Sequence, residues 1–333
     1  MASTVNTAFA EFLRDTVNLD PDQTKTARSS RDWLISQINR LPDRYSDFPL
    51  LVDDFHLNYG SFARRTKIRP LHDIDIMIGL NAQSSTHLIY SDRVEITANQ
   101  NAERLVQLCH DGTSLINSKK VLNLFKAGLK GVPQYKAAEI KYTQQAAVLN
   151  LSSYDWSFDI VPCFMTATDE WGKTYYLIPD GNGHWMKTDP RIDKALSTSV
   201  NQQHNGYVLN VLRLMKFWTK RPITTTIPSY LLETIVFKYY EAKATETSAY
   251  PDVEIPYLLD HIANTVIWDV QDPKGIQGNI NKLDSQERNR INAVAKRHAE
   301  YARQARQHEG NNNHKASISA WQDVFGPSLP SFS

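Results

Sequence analysis

The chain has 333 residues, in which 37 Lys and Arg against 36 Asp and Glu leave a formal charge of +1. That balance excludes a global field for capturing nucleic acid or anionic membrane without specificity, and the length is ample for one large domain or two lobes with a sizeable core. Two cysteines far apart, Cys109 and Cys163, suit a reducing compartment, and the absence of paired-cysteine or His-x-x-x-His spacing argues against a structural metal site. The start, MASTVNTAFAEFLRD, has no basic segment ahead of an apolar one, and no apolar run approaches the ~20 residues that span a bilayer, so a cytoplasmic protein without membrane contact is expected.

Residues 5 to 18 and 24 to 41 are predicted as amphipathic helices, with Phe9, Phe12 and Leu13, then Trp33, Leu34, Ile38 and Leu41 at helical spacing, and with Pro42 ending the second. A strand holding Leu57 and Tyr59 runs into Gly60-Ser61. The loop ARRTKIRPLH follows, and then the strand DIDIMIGL from Asp73. In an extended strand successive side chains alternate faces, so Asp73, Asp75 and Met77 point one way and Ile74, Ile76 and Ile78 the other. The isoleucines are expected in the core and the two carboxylates are expected to converge.

Two ionised carboxylates about 4 Å apart repel by roughly 4 kcal/mol at an effective dielectric near 20, a cost that a purely structural strand has no reason to carry. A hard divalent cation removes it and keeps positions open for phosphate oxygens, the arrangement used to move a nucleotidyl group. Gly60 lets backbone N–H groups approach a phosphate, and the Ser61 hydroxyl adds a donor. The competing reading, a solvated edge strand after a turn, leaves the Gly-Ser pair thirteen residues upstream of Asp73 without a purpose.

From about 96 to 130 the pattern reads as helix, with Leu105, Leu108, Val121, Leu122, Leu124 and Phe125 toward the core and Gly131 to Pro133 closing it. AEIKYT, AAVLNL and WSFDIVPCF within 137–164 have strand character, the last two separated by a turn at Ser152-Ser153-Tyr154-Asp155. Nucleotidyl transfer commonly uses a third carboxylate. Asp159 is the candidate, because Phe158 and Ile160 would face the core and leave it on the opposite face; Asp155 competes from the turn. Beyond a polar, Gly-rich loop, PDGNGHWMKTDP, the chain is predicted helical, with clear runs at 207 to 219, 229 to 242 and 285 to 308 and a last helix ending at Phe325-Gly326. The fold class is α+β, with an α-helical lobe after a mixed one and a cleft expected between them.

Gly60-Ser61, Asp73-Ile74-Asp75 and Asp159 together resemble the active-site signature of the DNA polymerase β-like nucleotidyltransferase superfamily. GHWMKTDP, then NVLRLMKFW followed by PSYLLE, and the closing KASISAWQDVFGPSLP are similar to segments of the bacterial CD-NTases, relatives of cyclic GMP-AMP synthase. The resemblance runs from about residue 45 to 330. It implies a nucleotidyltransferase lobe with mixed sheet over 1–180 and a helical lobe over 181–333 that closes the nucleotide cleft. It implies that Asp73, Asp75 and Asp159 hold magnesium, or manganese in its place, and carry the catalysis. It further implies that Gly60, Ser61, Lys216 and Ser229 contact the triphosphate and that Tyr230 stacks on a base. The activity implied is synthesis of a cyclic di- or trinucleotide from nucleoside triphosphates with release of pyrophosphate. In the family that product activates an effector protein in antiphage signalling; a regulatory protein is a further candidate partner.

The residues themselves allow these roles and also plainer ones. Lys216 shares a helix face with Arg213 and Lys220 and reads equally as a solvated basic stripe. Ser229 reads as the N-cap of an apolar helix, a place where a phosphate would also be welcome, and Tyr230 reads equally as core. Arg64, Arg65, Lys67 and Arg69 read either as phosphate contacts, the reading preferred, or as charges that keep the loop soluble, and Arg288, Arg290, Lys296, Arg297, Arg303 and Arg306 as a solvated face. The alternatives in function are nucleotide addition to RNA, protein or a small molecule, and an inactive nucleotide-binding scaffold. The near-neutral charge weakens the RNA version, and without a zinc-bearing insertion direct activation by DNA is disfavoured.

Overall fold

In the computed structural model residues 2–136, 138–142, 145–151, 154–222 and 225–333 are described. The elements run α1 (Val5–Phe12) with a π-helical turn at Leu13–Val17, α2 (Pro21–Ile38), α3 (Leu41–Arg44), β1 (Leu57–Tyr59), α4 (Gly60–Ala63), β2 (Asp73–Gly79), β3 (Thr86–Ile89) and β4 (Val94–Thr97). They continue with α5 (Glu103–Val106), α6 (Ser118–Lys130), β5 (Glu139–Tyr142), β6 (Ala147–Asn150), β7 (Ser157–Met165), β8 (Tyr176–Pro179) and β9 (Trp185–Thr188). The rest is helical: α7 (Pro190–Gln203), α8 (Val208–Thr219), α9 (Ser229–Ala242), α10 (Pro251–Val266), α11 (Ser285–Gly310) and α12 (His314–Phe325). The chain packs as two compact units, one of Asp22–Ala63 and Leu71–Arg191, the other of Met1–Pro21, Arg64–Pro70 and Ile192–Ser333. Two early segments thus belong with the carboxy-terminal helices.

The first unit is built on a sheet in which, among the described residues, strands follow the order β1-β2-β7-β8-β9-β4-β3, with β6 and then β5 also attached along β7. β2 and β7 run parallel and their neighbours antiparallel. Ile74, Ile76 and Ile78 are buried as their alternation requires, together with Phe158 and Ile160 of β7. Met77 is buried too, on the other face, in a small cluster with Val161, Cys163 and Tyr176. Helix α6 packs on β5, β6 and β8, with Val121, Leu122, Phe125 and Leu129 on its buried side and the Asn117 carboxamide accepting from the N–H groups of Lys119 and Lys120 at its start.

Three local expectations are corrected in this unit. The continuous helix over 96–130 is instead the end of a β3–β4 hairpin, the short α5 and then α6; Gly112 at φ 74° turns the chain between them. The loop PDGNGHWMKTDP contains β9, because Gly181 and Gly183 take positive φ and the Asp180 carboxylate accepts from the N–H groups of Asn182 and His184, closing a β8–β9 hairpin. Trp185 is fully buried and donates to the Ile116 carbonyl at 2.9 Å. Pro42 starts α3 rather than ending α2, which stops at Ile38. Of the Ser152–Asp155 turn, Ser152 and Ser153 lie outside the described residues.

In the second unit α1 joins the carboxy-terminal core through Phe9, whose ring centroid lies 5.0 Å from Trp321 and 5.8 Å from Phe325, and through Phe12, 5.0 Å from Phe217. Helix α11 begins with a capping box between Asp284 and Glu287 and buries a stripe of Ile291, Val294, Ala295, Ala299, Ala302 and Ala305, small enough to admit close packing of α10 and α12. Its Arg290, Lys296, Arg297 and Arg303 are exposed as expected, whereas Arg288 and Arg306 are partly buried on carbonyls and on Asp252. Among the described residues no helix is long and apolar enough to cross a membrane.

His298 lies on the buried stripe of α11, where its Nδ1 accepts from the Trp218 indole at 2.7 Å. Burial, reinforced by the positive charges of Arg221 and Arg297, pulls its pKa down to about 4. The unfolded chain takes up this proton near pH 6.5, so the neutral ring contributes fully above that pH and its contribution is lost as the pH falls toward 4. Urea unfolding between pH 7 and 4 is expected to show a loss on the order of 3 kcal/mol from this group. His298→Gln, less stable at pH 7, should lose correspondingly less over the same range.

Candidate active site

The parallel register of β2 and β7 sets Asp75 directly beside Asp159 and Asp73 beside Ser157. Directly registered residues share a face. Antiparallel pairing adds Tyr59 of β1 next to Asp75 and Val148 of β6 next to Asp159, so Tyr59, Asp75, Asp159 and Val148 form a row across four strands, with Asp73 two residues along β2 on the same face. All three aspartates are half-buried; Asp75 and Asp159 sit between buried neighbours, and Asp73 between exposed His72 and buried Ile74. The Tyr59 phenol records the local field: burial, and then the charges of Asp75 and Asp159, push its pKa well above the ordinary value.

Gly60 follows Tyr59 and opens α4 at φ 71°. A Cβ on Gly60 would stand 1.7 Å from Oδ2 of Asp75 and 2.5 Å from its Cγ. The glycine is therefore required twice, for the left-handed backbone and for the carboxylate lying against its Cα. Ser61 is next, half-buried. Carboxylate oxygens are hard donors, the type that hard divalent cations take. Among the described residues, no group of three or more His, Cys, Asp or Glu side chains is gathered closely enough to hold a metal ion.

The other sequence-predicted residues belong to the helical unit. Lys216 of α8 is buried, its Nζ 2.5 Å from Oε1 of Glu233 and donating to the Thr66 carbonyl at 3.1 Å. It is not part of a solvated stripe. Glu233 is 2 % exposed, and its second oxygen receives Arg64 through Nε at 3.0 Å and Nη2 at 2.9 Å. Two cations share one carboxylate here. Burial pushes Glu233 up, but Arg64 and Lys216 outweigh it and hold the acid below its usual range, while on Lys216 burial prevails over Glu233 and lowers the amine. Of the basic loop, Arg64 thus meets a carboxylate, and Arg69 donates to the Arg14 and Asn18 carbonyls.

Ser229 is the exposed first residue of α9, and the cap position belongs to Pro228, which has no side-chain acceptor; the expected N-cap is corrected by one residue. The Tyr230 hydroxyl lies 2.9 Å from Asp193 and 2.6 Å from Asp272, and Lys274 Nζ donates to it at 2.6 Å while standing 4.0 Å from the ring centroid. Burial and the Asp272 hydrogen bond push the phenol far up. Its single proton serves one carboxylate at a time, and the lysine ammonium balances the other. Asp272 also accepts from the N–H groups of Lys274, Ile276 and Gln277, tying the 272–277 turn to this tyrosine. Glu233, Asp193, Asp272 and Lys274 were not legible beforehand; the one trace of Glu233 is an acid inside the otherwise apolar run SYLLETIVF.

The fold is that of a nucleotidyltransferase of the polymerase β type. No protein-family model matches the chain. The E. coli MS115-1 CdnC solved with ATP shares the fold at a TM-score of 0.71 and 15% identity, covering 98% of this chain and 99% of that one. Vibrio cholerae DncV cyclic AMP-GMP synthase, in complex with the linear intermediate 5′ pppA(3′,5′)pG, matches at 0.70 and 11%, over 100% and 98%. In sequence the chain is 40% identical over 332 residues, 99% of both chains, to the probable cyclic nucleotide synthase IK1_05630 of Bacillus cereus (strain VD146). The chain belongs to the bacterial CD-NTase family of nucleotidyltransferases.

Proposed function

We propose that this enzyme joins nucleoside triphosphates and closes them into a cyclic di- or trinucleotide, releasing pyrophosphate, and that the product is a second messenger read by an effector protein in antiphage defence. The observation that carries the reading is the Asp75–Asp159 register with Gly60 folded against Asp75. Forty per cent identity over 332 residues to a probable cyclic nucleotide synthase supports the cyclic product over nucleotide addition to RNA, protein or a small molecule.

Asp73 and Asp75 would hold divalent metal, magnesium or manganese, and Asp159 would complete its oxygen ligands on the side of the acceptor. When bound, the metal neutralises triphosphate charge and acidifies the attacking hydroxyl. Gly60 and Ser61 would then face the donor phosphates. A ribose oxygen attacks the α-phosphorus in line, the bond to the bridging oxygen of the β-phosphate breaks, and the hydroxyl proton passes to a carboxylate, a role we assign to Asp159. Lys216 has three N–H donors, of which Glu233 and Thr66 take two, and we assign the third to a phosphate together with the Ser229 hydroxyl. Tyr230, braced by Asp193, Asp272 and Lys274, is assigned to base stacking, worth roughly 1 to 3 kcal/mol.

Incubation of the purified protein with magnesium and all four labelled triphosphates should yield pyrophosphate and a labelled product of two or three nucleotides that resists phosphatase. A product that loses its label to phosphatase, or that forms only when RNA, protein or a small acceptor is added, would replace this reading with the addition activity.

A further inference from the structure

Residues 64–70 join the Gly60-Ser61 turn to the strand that begins at Asp73, and within the helical unit they are held along almost their whole length. Arg64 meets Glu233 through two nitrogens. The Arg65 carbonyl accepts from Arg213 at 2.9 Å. Thr66 is fixed from both ends, its hydroxyl donating to Oε1 of Glu233 at 2.9 Å and its carbonyl accepting from Lys216. Ile68 is 3 % exposed in the apolar core, and Arg69 caps carbonyls at the end of the first helix while its N–H donates to Val17.

Glu233 is the centre of this arrangement. It emerges among Leu231, Leu232, Ile235 and Val236, all buried, and its carboxylate contacts Arg64, Thr66 and Lys216 together. Buried ion clusters are a poor way to gain stability, since well-packed apolar side chains of the same volume commonly do as well or better; what charged groups add is a defined geometry. Here the geometry imposed is that of a segment whose two ends are the candidate phosphate turn and the candidate metal strand.

We propose that Glu233 is a positioning residue for nucleotidyl transfer: it fixes Arg64 and Thr66 of the 64–70 segment and, with the Thr66 carbonyl, aims the Lys216 ammonium whose remaining N–H meets the donor triphosphate. This rests on the function proposed above. Glu233 does not touch the reacting atoms. It acts on the placement of a group that meets the donor triphosphate in the ground and transition states alike, so its loss is read in KM rather than in kcat.

The test uses Glu233→Gln, which keeps the shape and removes the charge, and Thr66→Val, which removes one bond and leaves the ion pairs. Glu233→Gln leaves two buried cations without a counter-charge and is expected to melt lower; Thr66→Val decides if that variant does not fold. In each folded variant KM for the triphosphate should rise about tenfold with kcat changed less than threefold, and amide exchange over 64–69 should speed at least tenfold while α10 and α11 stay protected. A purely structural role would lower the melting temperature and the active fraction and leave KM unchanged. Unchanged KM, or unchanged exchange over 64–69, in both folded variants overturns the inference with the function intact. A wild-type protein that releases no pyrophosphate overturns the function itself, and this inference with it.

Discussion

Asp75→Asn and Asp159→Asn are each expected to lower formation of the phosphatase-resistant product by about 10³-fold while the protein remains folded. Each exchange is nearly isosteric and removes one unit of negative charge from the row in which Asp75 and Asp159 stand side by side. Loss of a charged metal ligand removes several kcal/mol of transition-state stabilisation, and each 1.36 kcal/mol is tenfold in rate. The folded state moves the other way, because a like charge is taken out of a half-buried row, so the melting temperature without metal should hold or rise. Magnesium should raise the melting temperature of the wild type and do so less in either variant. Asp155→Asn serves as the control: Asp155 is exposed in the turn before β7, and its loss should leave product formation within threefold of wild type. Product at wild-type level in Asp75→Asn or Asp159→Asn would remove the acid row from the mechanism.

What could be read in advance follows the range of the forces involved. The alternation of DIDIMIGL is a property of neighbouring residues, and it correctly separates Ile74, Ile76 and Ile78 from Asp73 and Asp75. Asp159 is found by the same alternation in WSFDIVPCF, but its register beside Asp75 depends on a strand pairing more than eighty residues apart, which local pattern does not specify. Helical spacing puts Lys216 with Arg213 and Lys220 on a basic face, yet the buried carboxylate that claims its ammonium sits on the next helix. The prolines at 251 and 256 hide α10, since Pro251 begins the helix and Pro256 lies inside it. Gly181 and Gly183 make the 180–184 segment look like plain loop although they form the turn of a hairpin. The bracing of Tyr230 by Asp193, Asp272 and Lys274 joins residues up to 81 positions apart and leaves no signature in the sequence.

Gly60→Ala should separate the two reasons for a glycine at that position. Placing alanine at φ 71° costs roughly 1–2 kcal/mol through its Cβ and preceding carbonyl, and that part lowers stability wherever it is done. Gly112 and Gly172, both at φ 74° with nothing within 4 Å of where a methyl would stand, isolate this part, so Gly112→Ala should lose similar stability and keep full activity. At Gly60 the methyl also arrives 1.7 Å from Oδ2 of Asp75, a separation no two non-bonded atoms tolerate, so the carboxylate has to swing away from its place beside Asp159. Displacement of a positioned group by about 1 Å costs on the order of 10²-fold in rate, so kcat/KM should fall at least that far in Gly60→Ala, beyond anything its stability loss explains. Urea unfolding and product kinetics on the two variants give the comparison. Equal stability loss with activity retained in Gly60→Ala would mean that the carboxylate of Asp75 need not lie against this turn for the reaction to proceed.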